Sequence, residues 1–170
     1  IRRKRKFSKT PILVVKDKFS RDDAEKLSPF PEVLMVNTSI TESEDFITRV
    51  VSLIGGDELL PPLTSVLVKR AIAYLNEYAT HSVSRWQIAA SVNISEDYLT
   101  RIFRKEVGLS PWDYRNRFRI QIASKLLLET GASISEIASM TGFQDQAYFC
   151  RVFRKVKGFP PGNIRSRNRI

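Results

Sequence analysis

Ile88-Ala89-Ala90-Ser91-Val92-Asn93-Ile94-Ser95-Glu96-Asp97-Tyr98-Leu99-Thr100-Arg101-Ile102-Phe103-Arg104-Lys105-Glu106-Val107-Gly108-Leu109-Ser110-Pro111 is stated nearly twice in this chain. The second statement begins Ile137-Ala138-Ser139-Met140-Thr141-Gly142-Phe143. It continues Tyr148-Phe149-Cys150-Arg151-Val152-Phe153-Arg154-Lys155-Val156-Lys157-Gly158-Phe159-Pro160-Pro161. Ile88 and Ile137 are 49 positions apart, whereas Tyr98/Tyr148, Arg101/Arg151, Phe103/Phe153, Gly108/Gly158 and Pro111/Pro161 are each 50 apart. One extra residue therefore sits in the second turn, near Gln144. Two copies are too few for a repeat array, so the pattern reads as one module duplicated within a domain.

Each copy predicts a short helix, a tight turn and a longer helix. Ser84 with Gln87, and Ser133 with Glu136, carry the capping-box spacing that starts a helix. Asn93 and Gly142 are the residue types that tolerate the left-handed turn ending it. Ser95 and Asp145 then cap the second helix of each pair, giving the helix-turn-helix pattern twice.

The longer helices carry an apolar stripe of period near 3.6: Tyr98, Leu99, Ile102, Phe103 and Val107, then Tyr148, Phe149, Val152, Phe153 and Val156. Those stripes are expected to face the core. The opposite faces hold Asp97, Thr100, Arg101, Arg104 and Lys105, then Gln146, Ala147, Cys150, Arg151, Arg154 and Lys155. A charged outer face is ordinarily only solvated. Here the same offsets are basic in both copies, which solvation alone does not require. Between them, Trp112, Tyr114, Phe118, Ile122, Ala123, Leu126 and Leu127 predict one linker helix over about 110–130, roughly 30 Å long at 1.5 Å per residue. Recognition helices entering successive major grooves need centres about 34 Å apart.

These residues resemble the DNA-binding domain of the AraC/XylS family of transcription regulators. The carrying pattern is Ile88-Ala89, Ser95-x-x-Tyr98-Leu99-x-Arg101-x-Phe103-Arg104-Lys105-x-x-Gly108-x-Ser110-Pro111, Ile134-x-x-Ile137-Ala138, Thr141-Gly142-Phe143 and the closing Tyr148 to Pro161 signature. The resemblance implies a mainly α fold: a seven-helix domain over 66–170, with helix-turn-helix units at about 84–108 and 133–158. It implies sequence-specific binding of double-stranded promoter DNA, with RNA polymerase and a second copy of the chain as partners. Carried over by position, base edges would be met by Asp97, Thr100 and Arg101, and by Gln146, Ala147, Cys150 and Arg151. The DNA backbone would be met by Ser84, Ser95, Arg104, Lys105, Ser133, Arg154, Lys155 and Arg165. Asp97 is acidic where it nears phosphates, though it can accept from a cytosine amino group; Ala147 and Cys150 suit a thymine methyl.

Charge agrees with a nucleic-acid partner for that part only. The net charge is +10, but residues 61–170 carry +9, residues 10–60 carry −5 and residues 1–9 carry +6. A basic module beside an acidic one suits DNA binding attached to something that does not bind DNA. Arg2-Arg3-Lys4-Arg5-Lys6 reads either as a phosphate-gripping arm or as the solvated face of a helix. Arg165, Arg167 and Arg169 form a basic tail suited to phosphates.

The N-terminal part follows another pattern. Ile12-Leu13-Val14-Val15 and Val33-Leu34-Met35-Val36 are apolar runs of buried-strand type, separated by a capped helix over Ser20–Leu27. A further helix is expected over Thr41–Ile54, ended by Gly55-Gly56. Strand-helix-strand-helix predicts a small parallel α/β unit over 1–56, followed by a linker at 57–65 with Pro61-Pro62 as a stiff spacer. Two strands make no complete doubly wound sheet, so the unit is a fragment or docks on another surface. It is similar to the last part of a two-component receiver domain, which implies a response-regulator output. The family's hydroxyl after the first strand falls at Lys16 or Asp17 and its Lys-Pro at Asn37-Thr38, so the resemblance implies a degenerate receiver without phosphoryl chemistry.

No enzyme is expected. There is no nucleophile elbow or phosphate-cradling glycine loop, and Asp22-Asp23 sit at a helix start where they complement the dipole. His81 is the single histidine and Cys150 the single cysteine, so no cofactor or metal site is expected and no internal disulfide can form. Cys150 reads as a small contact residue before a redox sensor. No apolar run suits a membrane span, and the cytoplasm is the expected compartment. Alternative readings are a non-specific nucleic-acid-binding module and a protein-interaction module of helices docking an acidic partner.

Overall fold

The computed structural model describes residues 12–41 and 65–164. Among these residues the chain is mainly helical, with a two-stranded parallel sheet and seven α-helices. Strand β1 is Ile12–Lys16 and β2 is Val33–Asn37, paired in parallel with Ile12 opposite Val33 and Lys16 opposite Asn37. Helix α1, Arg21–Leu27, crosses between them and starts in a capping box. Ser20 Oγ accepts from the Asp23 amide, and Asp23 Oδ2 accepts from the Ser20 amide at 2.8 Å. The Asp22-Asp23 pair is thus a helix start, as its position implied.

Six helices follow: α2 Val66–Glu77, α3 Arg85–Ala90, α4 Glu96–Val107, α5 Pro111–Glu129, α6 Ile134–Met140 and α7 Gln146–Lys157. Pairs α3–α4 and α6–α7 are the two helix-turn-helix units, joined by α5. Asn93 (φ 57°) and Gly142 (φ +82°) occupy equivalent left-handed positions in the two turns. Both α4 and α7 end on a left-handed glycine whose amide caps a carbonyl four residues back, Gly108 to Arg104 and Gly158 to Arg154. Asn163 and Ile164 begin a further helical turn. The expected helix over Thr41–Ile54 beyond its first residue, the spacer at Pro61-Pro62, the run Arg2–Lys6 and the tail from Arg165 lie outside the described residues.

Two cores divide the described residues. One joins Phe19, Ala24, Leu34, Met35, Val36 and Ile40 of the α/β unit to Val68, Ile72, Leu75, Ile88, Leu99, Phe103 and Tyr114. The other gathers Ile120, Ala123, Leu127, Ile137, Phe149 and Phe153. Each fully buried aromatic or aliphatic side chain of this kind contributes about 1.5–3 kcal/mol. Helix α5 belongs to both cores, Tyr114 to the first and Ile120 onward to the second, so it is a shared beam between the two units.

The α/β unit docks on α2 and α5 of the described helical part. Lys69 Nζ, fully buried, donates to the carbonyls of Leu27 (2.8 Å) and Phe30. Arg21 pairs with Glu77 at 2.8 Å and Lys125 with Asp17 at 3.0 Å. Thr38 Oγ1 donates to Asp17 Oδ1 at 2.7 Å and accepts from Gln121 Nε2. Buried Asn37 donates to the Asp17 carbonyl. The loops after β1 and β2 are thereby bound to each other and to the linker helix.

Candidate nucleic-acid interface

The outer faces of α4 and α7 are built by the same local rules. Ser95 and Asp145 cap the helices, accepting from the amides of Tyr98 (3.2 Å) and Tyr148 (2.5 Å). Leu99, Phe103 and Val107, and in the second copy Phe149, Val152 and Phe153, are buried and fix each helix's rotation. That rotation leaves Asp97, Arg101, Arg104 and Lys105 exposed with Thr100 half-buried. On α7, Gln146, Ala147, Arg151, Arg154 and Lys155 are exposed and Cys150 is half-buried.

One expectation is corrected in both copies. Tyr98 and Tyr148 belong to the apolar stripe by spacing, yet they are 40% and 37% exposed. They lie at the stripe's edge, where their rings carry arginine: the Arg101 guanidinium stands 5.0 Å from the Tyr98 ring centre and that of Arg151 5.8 Å from Tyr148. Stacking on an aromatic face restrains a guanidinium while leaving its N–H groups outward. Among the described residues the second tyrosine alone is also tied to the beam, Asn116 Nδ2 donating to Tyr148 Oη at 3.3 Å.

The helix starts differ in their electrostatics. Ser84 and Ser133 both close capping boxes, accepting from the amides of Gln87 (3.4 Å) and Glu136 (3.2 Å). Their hydroxyls therefore serve their own helices. In the first unit the reciprocal group is the neutral Gln87 amide; in the second it is the Glu136 carboxylate, whose pKa is lowered by hydrogen bonds from the Ser133 backbone and side chain. A phosphate approaching α6 would meet a negative charge that α3 lacks.

Residues that spacing did not single out hold the two units together. Arg115 donates to the carbonyls of Ala79 (3.2 Å), Val83 (3.2 Å) and His81. Arg119 donates to Ala79 (2.5 Å) and His81 (3.0 Å) and lies over the Phe143 ring. Both guanidiniums are buried, and their charges are met by carbonyls of the loop after α2 rather than by carboxylates. Burial, and then the neighbouring Arg115, push the Arg119 pKa down to about 10. The signal in the sequence was the i, i+4 spacing of Arg115 and Arg119 on a helix that is otherwise apolar on several sides.

His81 is exposed in that loop, its ring 5.7 Å from Tyr78. Among the described residues no group of three His, Cys, Asp or Glu could hold a metal, and no helix is long and apolar enough to cross a membrane.

Two helix-turn-helix units with matching basic faces, joined by α5, define a double helix-turn-helix DNA-binding domain. Residues 88–167 match the family described as a helix-turn-helix domain. The chain is 32% identical over 82 residues to the lactose operon transcription activator of Staphylococcus xylosus, covering 48% of this chain and 29% of that protein. It is similar in structure to the C-terminal domain of AraT, a response regulator from Geobacillus stearothermophilus. That likeness has 31% identity and a TM-score of 0.55, and covers 65% of this chain and 88% of the other. A probable AraC family transcriptional regulator from Rhodopseudomonas palustris shares 25% identity and a TM-score of 0.56, covering 61% and 97% of the two chains. The C-terminal two-thirds of the chain thus has the fold of AraC-type DNA-binding domains, and residues 88–167 carry a helix-turn-helix domain similar to those of transcription regulators. The matched region spans only about a third or less of the curated relatives' lengths.

Proposed function

We propose that the chain is the output part of a two-component-type response regulator that reads two successive major-groove sites on promoter DNA. In this reading Arg101 and Arg151 are the leading base contacts, each bidentate to guanine. Thr100 and Asp97 join Arg101, and Gln146, Ala147 and Cys150 join Arg151. Arg104, Lys105, Arg154 and Lys155 add backbone contacts; Ser84, Ser95 and Ser133 contribute by keeping helix starts at the backbone, and Arg165 is assigned a backbone contact by its position in the sequence. The observation that carries the reading is the repeated pair of an exposed arginine on a tyrosine ring, at positions 50 apart in the chain and on equivalent helices.

The α/β unit is read as the end of a degenerate receiver. Its parallel strand-helix-strand order and the likeness to a response regulator's C-terminal domain support this. Asp17 and Thr38, which stand after β1 and β2, bind Lys125 and Gln121 of the linker helix, which supports reading the unit as a receiver without phosphoryl chemistry. RNA polymerase and a second copy of the chain are the partners this function calls for.

The test is selection of random duplex DNA on the 170-residue chain, followed by titration of the winner at several salt concentrations. A consensus in two halves, about 10 bp apart, is expected. A specificity ratio near one would leave only a non-specific binder.

A further inference from the structure

A basic cleft runs between the two recognition helices, floored by the linker helix. Its cations come from three elements: Arg104 on α4, Arg117 on α5, and Arg151 with Lys155 on α7. Asp113 is the single acidic residue lining it, and that carboxylate is engaged by the Ser110 hydroxyl at the start of α5. Arg117 is half-buried at the cleft floor and forms no ion pair among the described residues. It is also set apart from its neighbours on α5. Residues two apart on a helix point to nearly opposite sides, so Arg115 and Arg119 turn into the protein while Arg117 turns to the cleft. The Asn116–Tyr148 hydrogen bond fastens the α7 wall to this floor.

We infer that the linker helix is itself a DNA-binding element, with Arg117 holding a backbone phosphate of the spacer between the two half-sites. The inference rests on the two-site reading above. If α4 and α7 occupy successive major grooves, the strand segment between those grooves passes across the cleft. Beside Arg151, which the two-site reading gives to a base, three cations (Arg104, Arg117 and Lys155) against one engaged carboxylate match a phosphodiester chain. The two units then bind as a coupled pair, because the spacer is gripped between them.

The test compares the whole chain with its Arg117→Gln and Arg117→Lys variants on the selected bipartite duplex, over a range of salt. One duplex series carries single uncharged methylphosphonate linkages along the spacer. Arg117→Gln should lower the slope of log affinity against log salt by about one and leave the selected consensus unchanged. Arg117→Lys should restore the slope. At one spacer position the neutral linkage should weaken the wild type several-fold and leave Arg117→Gln unaffected. An unchanged slope in Arg117→Gln, with neutral linkages weakening both proteins equally, overturns the inference while the two-site reading stands. Failure of the wild type to select a bipartite site overturns both.

Discussion

Gly142 packs so closely on Thr80 that a β-carbon added to it would overlap the Thr80 carbonyl oxygen and stand 2.7 Å from Arg119 Nη2. Its φ of +82° lies in the left-handed region as well. The turn of the second unit is thereby seated on the same loop, after α2, that Arg115 and Arg119 hold by its carbonyls. Left-handed strain costs about 1–2 kcal/mol for a side-chain-bearing residue, and the overlap is with backbone, which cannot swing away. Gly142→Ala is expected to lower stability by at least about 2 kcal/mol. Gly142→Asn should fare no better, even though Asn93 fills the equivalent turn. Urea unfolding midpoints would decide; an alanine variant as stable as the wild type would contradict the seating.

Lys69 ties the α/β unit to the DNA-binding part from inside the first core. Burial holds its pKa below the ordinary lysine value, and the carbonyls of Leu27 and Phe30 accept hydrogen bonds from its ammonium group. Lys69→Met keeps the length of the side chain but leaves both carbonyls without this donor, a loss of about 1–3 kcal/mol. Hydrogen exchange should show β1, α1 and β2 losing protection while α6 and α7 keep theirs, since Ile137, Phe149 and Phe153 belong to the other core. Uniform loss across both units would mean that the two cores unfold together.

The helix-turn-helix units were legible because their rules are local: capping boxes at Ser84 and Ser133, left-handed stops at Asn93 and Gly142, and stripes ending at Gly108 and Gly158. The parallel strands were legible for the same reason. What escaped the reading depends on partners distant in sequence. Arg115 and Arg119 look like solvated charges until the carbonyls of residues 79–83 are brought against them, more than 30 positions away. Likewise, periodicity assigned Tyr98 and Tyr148 to the core because it counts spacing and not how far a stripe wraps. In the first core Phe103 packs edge-on against Tyr114, while Tyr98 and Tyr148 stay at the stripe's edge.

Acid should loosen the start of α1 only at the low end of the carboxylate range. The hydrogen bond from Lys16, then those from Ser20, hold the Asp23 carboxyl at about 2, against an ordinary value of 3.8. A depressed carboxylate stabilises above its unfolded-state pKa, and that contribution is lost as pH falls through the folded value. The window is therefore pH 3.8 down to about 2. With the lysine half exposed, solvent screening keeps the Asp23–Lys16 pair at about 1 kcal/mol or less. Asp23→Asn should flatten this limb of the stability-against-pH curve and slightly lower the plateau at neutral pH. Denaturant titrations at constant ionic strength would show it; an unchanged acid limb would assign the dependence to other carboxylates.

The two arginine–tyrosine pairs should not be worth the same to DNA binding. Arg101→Ala and Arg151→Ala are each expected to cost about 1–3 kcal/mol on the selected site, with relaxed preference at one base pair apiece, if each guanidinium is bidentate to guanine. Lysine at either position should fail to restore the preference, because an ammonium cannot fork. The tyrosines separate the units further. Tyr98 supports Arg101 through its ring alone, whereas Tyr148 also accepts from Asn116 and so fixes α7 against the beam. Removing the hydroxyl by Tyr98→Phe should therefore leave affinity unchanged. Tyr148→Phe, leaving the Asn116 amide without that acceptor, should weaken binding several-fold and broaden the spacing that the two half-sites tolerate. Affinities on duplexes with the spacer lengthened or shortened by one base pair would measure this, and equal effects of the two substitutions would show that the hydroxyl of Tyr148 sets nothing.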